Sequence, residues 1–209
     1  KDILGFPLTH TNNGWLNLAR PNPSVSTAGS YVIVPNSDVF DAGTGSLTVQ
    51  CWVKIDHSLG SAGHFNLVES YAAKPRLFLQ DNSLPYFKVD DGSNNATATS
   101  GTALTIGTWY MITGIINRET GVVEIWENAT LRDTTACTSV GSIDATADWY
   151  IGSQSGTAFH QDGSIDEVRI YNRALTAYIA DGSRPDANTE TDISGEMLKN
   201  YNHGKSKHS

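Results

Sequence analysis

Apolar and polar residues alternate along this chain in short bursts, each closed by Gly, Asn, Asp or Ser, the pattern of strands joined by tight turns. The clearest burst sets Leu47, Val49, Cys51, Val53 and Ile55 on one face and Thr48, Gln50, Trp52, Lys54 and Asp56 on the other, which predicts a half-buried strand. Further strands are predicted at Tyr31–Val34, Phe65–Glu69, Arg76–Gln80, Tyr86–Val89, Trp109–Asn117, Val122–Trp126, Trp149–Gly152 and Ile165–Tyr171. Trp109–Asn117 is apolar on both faces, so it belongs at the centre of a sheet covered on both sides. It turns through Arg118–Gly121 into Val122–Trp126, a hairpin with Gly at the turn. In Ile165–Tyr171 the alternation breaks once, which predicts a bulge near Asp166. Helical periodicity is nearly absent, and the fold class is all-β, with two antiparallel sheets.

After Ala174 the pattern changes. A polar, Pro-containing stretch, Thr176–Thr191, leads to a short segment, Gly195–Tyr201, that Ser194 can cap as a helix with Met197, Leu198 and Tyr201 on one side. Lys199, His203, Lys205, Lys207 and His208 then form a small basic tail, to be read either as a docking peptide or as a solvated terminus.

Composition agrees with this pattern and narrows the function. The chain has 209 residues, within the range of one β-sandwich domain, with 19 Gly and only 17% charged residues. A net charge of −8 repels nucleic acids and anionic membranes, so nucleic acid is not an expected partner. No apolar run approaches the roughly 18 residues of a membrane span, and no basic-then-apolar leader precedes the first strand. Cys51 and Cys137 sit in no metal-type pair and are compatible with a disulfide or with two buried thiols. The six histidines, His10, His57, His64, His160, His203 and His208, form no metal-binding spacing. Neither a nucleophile elbow nor a phosphate-cradling Gly loop is present.

Several segments together resemble a known family. Ser30–Pro35, Ser46–Lys54, Gly107–Gly114, the Val123-Glu-Ile-Trp126 hairpin strand and Gly163–Leu175 follow in order the signature strands of laminin-G-like domains. The resemblance runs from about residue 30 to 175 and implies a concanavalin A-like jelly roll. It leaves residues 1–29 as an N-terminal extension and 176–209 as a C-terminal extension. The C-terminal Gly195–His208 also resembles the ends of laminin-G-like proteins encoded by marine bacterial viruses, which implies a structural protein on a virion surface, or otherwise outside the cell.

The resemblance brings three chemical expectations. Glucan hydrolases of the superfamily carry spaced carboxylates, and Glu190-Thr-Asp-Ile-Ser-Gly-Glu196 matches their longer spacing. The intervening Thr191, Ile193, Ser194 and Gly195 make a poor core strand, however, so the expectation is a binding protein and no enzyme. A structural calcium ion, often used to tie an early loop to a late strand, has Asp38, Asp41 and Asp166 as candidate ligands; the same side chains also serve as turn caps. For recognition, inward Leu77, Leu79, Phe87 and Val89 place Arg76, Phe78, Gln80, Tyr86 and Lys88 outward, and inward Val123 and Ile125 send Trp126 outward. A face holding Arg76, Phe78, Tyr86, Lys88 and Trp126 suits stacking on sugar rings or contact with protein neighbours, copies of the same chain included; it also suits burial under the terminal extensions. Asn95-Ala-Thr97 and Asn128-Ala-Thr130 fit the glycosylation triplet, which a Thr-rich chain produces readily by chance.

Overall fold

In the computed structural model the described residues are 4–5, 16–18, 31–58, 64–70, 74–80, 82–144, 147–156, 159, 162–175 and 193–208. They form two antiparallel sheets packed face to face. The first sheet orders Leu4–Gly5 (β1), Gly163–Tyr171 (β13), Leu47–Ile55 (β4), Trp109–Asn117 (β9), Val122–Glu127 (β10) and Thr130–Ala136 (β11), with Leu16–Leu18 (β2) also paired to β13. The second orders Val32–Val34 (β3), Trp149–Ile151 (β12), His64–Ser70 (β5), Arg76–Gln80 (β6), Leu84–Asp90 (β7) and Asn95–Thr99 (β8). Strands that adjoin in space but not in sequence, such as β4 between β13 and β9, give the jelly-roll winding that the resemblance implies.

The core between the sheets follows the alternation in the sequence. Leu47, Val49, Cys51, Val53 and Ile55 meet Leu77, Leu79, Phe87 and Val89 across the sandwich. As predicted, β9 is central: Ile112 and Ile116 face this core, while Met111 and Ile115 face a second apolar cluster on the other side. The sheets approach closely where β9 carries Gly114, since a Cβ there would lie 2.2 Å from the Phe87 ring. Cys51 and Cys137 are both buried free thiols, and burial pushes the Cys51 thiol well above its ordinary value.

The second cluster corrects the expectation of a half-buried β4. Thr48, Gln50 and Trp52 are buried: a helix, Ile193–His208 (α1), lies across Gln50 and Trp52 on the outer face of the first sheet, and Thr48 bonds to the backbone of Arg173 and Leu175. Met197 joins Trp52, Trp126 and Tyr171, Tyr201 stacks on Trp52 with centroids 5.8 Å apart, and Asn200 Nδ2 donates to Gln50 Oε1 and Tyr171 Oη, each at 2.9 Å. The helix starts at Ile193, so Ser194 lies inside it and is not its cap. It also runs seven residues past the predicted Tyr201 and takes in the basic tail. The last residues of that tail do not form a solvated terminus. Lys207 pairs with Glu167 of the same chain, and His208 stacks on Trp109 with centroids 4.0 Å apart.

The N-terminal extension likewise contributes to the sandwich, because β1 and β2 both pair with β13. The predicted bulge is present as a register shift between Asp166 and Arg169, with Glu167 at φ 51°. Besides β1 and β2, two further strands were not predicted. β8 turns Ala96 and Ala98 inward where larger apolar residues mark most strands, and β11 is a largely exposed strand of Thr, Arg and Asp. Paired positive-φ residues lie in both hairpin connections: Asn82-Ser83 in the three-residue loop between the paired Gln80 and Leu84, and Asn128-Ala129 as the two-residue turn between the paired Glu127 and Thr130.

Candidate recognition face

The second sheet carries the candidate site on its outer surface, where the side chains align in cross-strand rows. One row runs Ile33, Tyr150, Glu69, Arg76, Lys88, Thr97; the next runs Asn66, Phe78, Tyr86, Thr99. Directly opposed residues of this kind lie about 5 Å apart, so each row is a continuous strip. Arg76, Phe78, Gln80, Tyr86 and Lys88 therefore share a face as predicted, by the simple period of β6 and β7.

Asn66 and Glu69 reach that face by a different route. In strict alternation, residues three apart point to opposite sides. The register of β5 shifts between Asn66 and Val68, so Leu67 and Val68 both turn into the core while Asn66 and Glu69 both point out. The polar-apolar-apolar-polar run Asn66-Leu-Val-Glu69 is the sequence signal for this bulge, and alternation alone did not draw it out.

The bulge assembles a charged network around Arg76. Its Nε donates to Asn66 Oδ1 at 2.6 Å and lies 3.2 Å from Glu69 Oε2, and Asn66 Nδ2 donates to the same carboxylate. The guanidinium sits over the Phe78 ring, 4.2 Å from its centroid, and Phe78 in turn stacks on Tyr86 at 5.3 Å. The Glu69 side chain is 1% exposed and that of Arg76 12%. Burial raises the Glu69 carboxyl above its ordinary value against the opposing pull of Arg76 and Asn66, and burial lowers the Arg76 guanidinium against the pull of Glu69. Among the described residues Glu69 Oε1 and Arg76 Nη2 are buried with no hydrogen-bond partner. Natural proteins leave few polar atoms in that state, and here one falls on each partner of the same ion pair. Lys88 Nζ lies 2.9 Å from Asp90 Oδ2.

One end of the face is bounded by Phe159, whose ring stacks on His64 and whose carbonyl accepts the Asn66 N–H at 3.0 Å. Phe159 adopts φ 51° and Ser155 φ 52°, conformations that non-glycine residues adopt at a cost.

Trp126 does not belong to this surface. Its outward phase was read correctly, but β10 is in the other sheet, so the side chain points to the opposite side of the sandwich. There it joins the cluster that includes Met197 of α1, and its Nε1 donates to Glu124 Oε2 at 2.7 Å.

The candidate calcium ligands are also separated. Asp41 has Asp144 and Asp38 as its charged neighbours; burial, then those two carboxylates, raises its pKa. Asp166 pairs across from Trp52, five residues along β4 from Leu47, which puts it about 17 Å up the strand from the loop that holds Asp38 and Asp41. Its Oδ2 lies 3.5 Å from His208 Nε2. No group of three His, Cys, Asp or Glu side chains among the described residues is arranged to hold a metal ion. For the carboxylate spacing match, Glu196 lies in α1 rather than on a strand, and Glu190 lies outside the described residues.

Two packed antiparallel sheets with this strand order define the class of jelly-roll sandwiches. The chain belongs to the laminin-G-like family of the concanavalin A-like lectin/glucanase superfamily, whose family model matches residues 26–178. A search of curated proteins finds no match to the chain. Among solved structures, the binding domain of botulinum neurotoxin serotype G superposes with a TM-score of 0.63 at 13% identity, over 92% of this chain and 42% of that one. The binding domain of Paraclostridial Mosquitocidal Protein 1 gives 0.62 at 14% identity, over 84% and 41%. The CBM40 domain of the Ruminococcus gnavus IT-sialidase, bound to α2,3-sialyllactose, gives 0.52 at 16% identity, over 65% and 80%. At these identities the likeness is one of fold, and the chain spans less than half the length of the two toxin domains. No described helix is long and apolar enough to cross a membrane.

Proposed function

We propose that this chain is a non-catalytic recognition module that binds carbohydrate on the outer face of its second sheet. The observation that carries this reading is the contrast between the two outer faces. The first is occupied by the chain's own α1, whereas the second presents Tyr86 and Arg76 beside a buried polar network and no described element lies across it. A sugar ring offers an apolar C–H face to an aromatic side chain and hydroxyls to a guanidinium, and this surface has both groups side by side. The fold's occurrence in toxin binding domains and in a sialyllactose-bound domain supports the same reading.

Such a module works outside the cell or on a particle surface, and the short C-terminal likeness to virion proteins supports the particle. Protein neighbours in a surface assembly retain one specific support: Tyr31 and Ile33, beside and within the edge strand β3, are 40% and 47% exposed.

The test is a glycan array with the wild type, Arg76→Ala and Tyr86→Ala. Binding to a defined sugar set, weakened about tenfold or more in both variants, is the expected result, given what one truncated central contact typically removes. A wild type that binds no sugar, or variants that bind as well as it does, would overturn the proposal.

A further inference from the structure

The charges on the candidate face are matched one for one. Arg76 has Glu69, with Nε 3.2 Å from Oε2, and Lys88 has Asp90, with Nζ 2.9 Å from Oδ2. These are the cations on the described strands of this face, apart from the imidazole of His64, which is engaged with Phe159; Lys74 lies in the turn ahead of β6. Proteins that capture acidic sugars do so with a cation the protein has not already neutralised, most effectively an arginine fork with both prongs free. Here the carboxylate of Glu69 already lies 3.2 Å from the guanidinium Nε.

Resting on the carbohydrate reading above, we propose that the face takes a neutral, hydroxyl-rich glycan and discriminates against glycans that carry a carboxylate or sulfate. An anionic group placed on Arg76 comes within a few ångströms of Glu69, and the chain's net charge of −8 adds to the repulsion at longer range. A hydroxyl meets no such opposition. Its oxygen can accept from the accessible part of the Arg76 side chain, which is 12% exposed although Nη2 itself is buried. Glu69 is then a positioning residue. Through Asn66 and Arg76 Nε it fixes the guanidinium plane over Phe78, and it cancels the charge that would otherwise draw in acidic ligands. The ring stacks on Tyr86, which the Phe78 contact holds in place.

The experiment compares neutral oligosaccharides of microbial, plant and animal types with their sialylated, uronic acid and sulfated counterparts, for the wild type, Glu69→Gln and Asp90→Asn. In the wild type, the neutral members bind and each charged counterpart is weaker by about tenfold or more, the effect expected of one uncompensated like charge at contact range. The affinity for neutral members changes less than twofold between low and high salt. Each substitution removes one neutralising carboxylate and narrows the gap between charged and neutral members by about tenfold at low salt. Asp90→Asn changes a partly exposed pair, so it keeps the comparison available if Glu69→Gln disturbs folding. Tighter binding of the charged members by the wild type overturns this inference and leaves the carbohydrate reading standing, as does a ratio that neither substitution moves. Binding of no sugar at all overturns the carbohydrate reading itself.

Discussion

Gly204 of α1 lies flat against the indole of Trp52: a Cβ at this position would come within 2.0 Å of Trp52 Nε1 and 2.1 Å of Cε2. Two effects of Gly204→Ala therefore oppose each other. Alanine in a helix interior is favoured over glycine by about 1 kcal/mol, whereas forcing an extra methyl into a packed site costs about 1–3 kcal/mol. The indole is rigid and 2% exposed, so the overlap prevails. Gly204→Ala is expected to weaken the docking of α1, shifting tryptophan emission to the red and lowering the urea midpoint. A more stable variant would show that the helix rests elsewhere.

A second glycine makes the same argument in the main core. The Cβ of Gly114→Ala would lie 2.2 Å from Cγ and Cδ2 of the fully buried Phe87. The sheets can relieve this only by moving apart or by turning Phe87 out of its rotamer, so the expected loss is at least about 2 kcal/mol. Phe87→Leu frees part of that volume. The double variant should accordingly lose less than the sum of the two single losses, and strict additivity in a denaturation cycle would count against the contact.

What the sequence discloses depends on the range over which each signal acts. β4, β9 and β13 were legible because alternation is local, and the phase of Phe78, Tyr86 and Trp126 was legible for the same reason. The sheet to which each strand belongs is set by pairings far along the chain, so Trp126 was grouped with a surface on the other side of the sandwich. Glu69 was missed because a bulge overrides the period by which facing is read. The length of α1 was missed because Asn200, Asn202 and Gly204 are weak helix formers, and docking on Trp52 and Trp109, not propensity, holds its second half.

The end of α1 should respond to acid. His208 stacks on Trp109 and contacts Trp52, and it faces Asp166, Glu167 and Lys207, with Lys54 also over the Trp109 ring. Burial, with Lys207 adding to it and Glu167 opposing, lowers its pKa from 6.5 to about 4. A histidine held neutral in this way contributes stability that is fully present above pH 6.5 and is lost as pH falls toward 4. Glu167, lowered despite its burial by Lys207, Arg169 and His203, acts in the same direction at lower pH; Asp166, raised by burial, acts against it. Allowing for solvent screening, the loss is of order 1 kcal/mol. Tryptophan emission should therefore shift as pH falls through about 4, before global unfolding. His208→Phe should remove that shift, and an unchanged profile in the variant would assign it to another group.

Trp126 separates the two faces most directly. It is 9% exposed, packs in the cluster that includes Met197, and satisfies the buried Glu124 carboxylate through its Nε1. Burial already raises the Glu124 carboxyl, so removing the donor leaves a group that is costly to keep ionised. Trp126→Ala is expected to cost about 3–5 kcal/mol, the range for deleting a buried tryptophan, and to loosen α1. Trp126→Phe keeps most of the volume and loses chiefly the hydrogen bond, which points to a smaller loss of about 1–3 kcal/mol. Because the residue lies on the far side of the sandwich from Tyr86 and Arg76, the folded fraction of either variant should bind sugar with wild-type affinity once the measured folded fraction corrects for unfolded protein. A loss of affinity in folded Trp126→Phe, with stability near wild type, would move the recognition surface to the first sheet and make α1 the element that covers it.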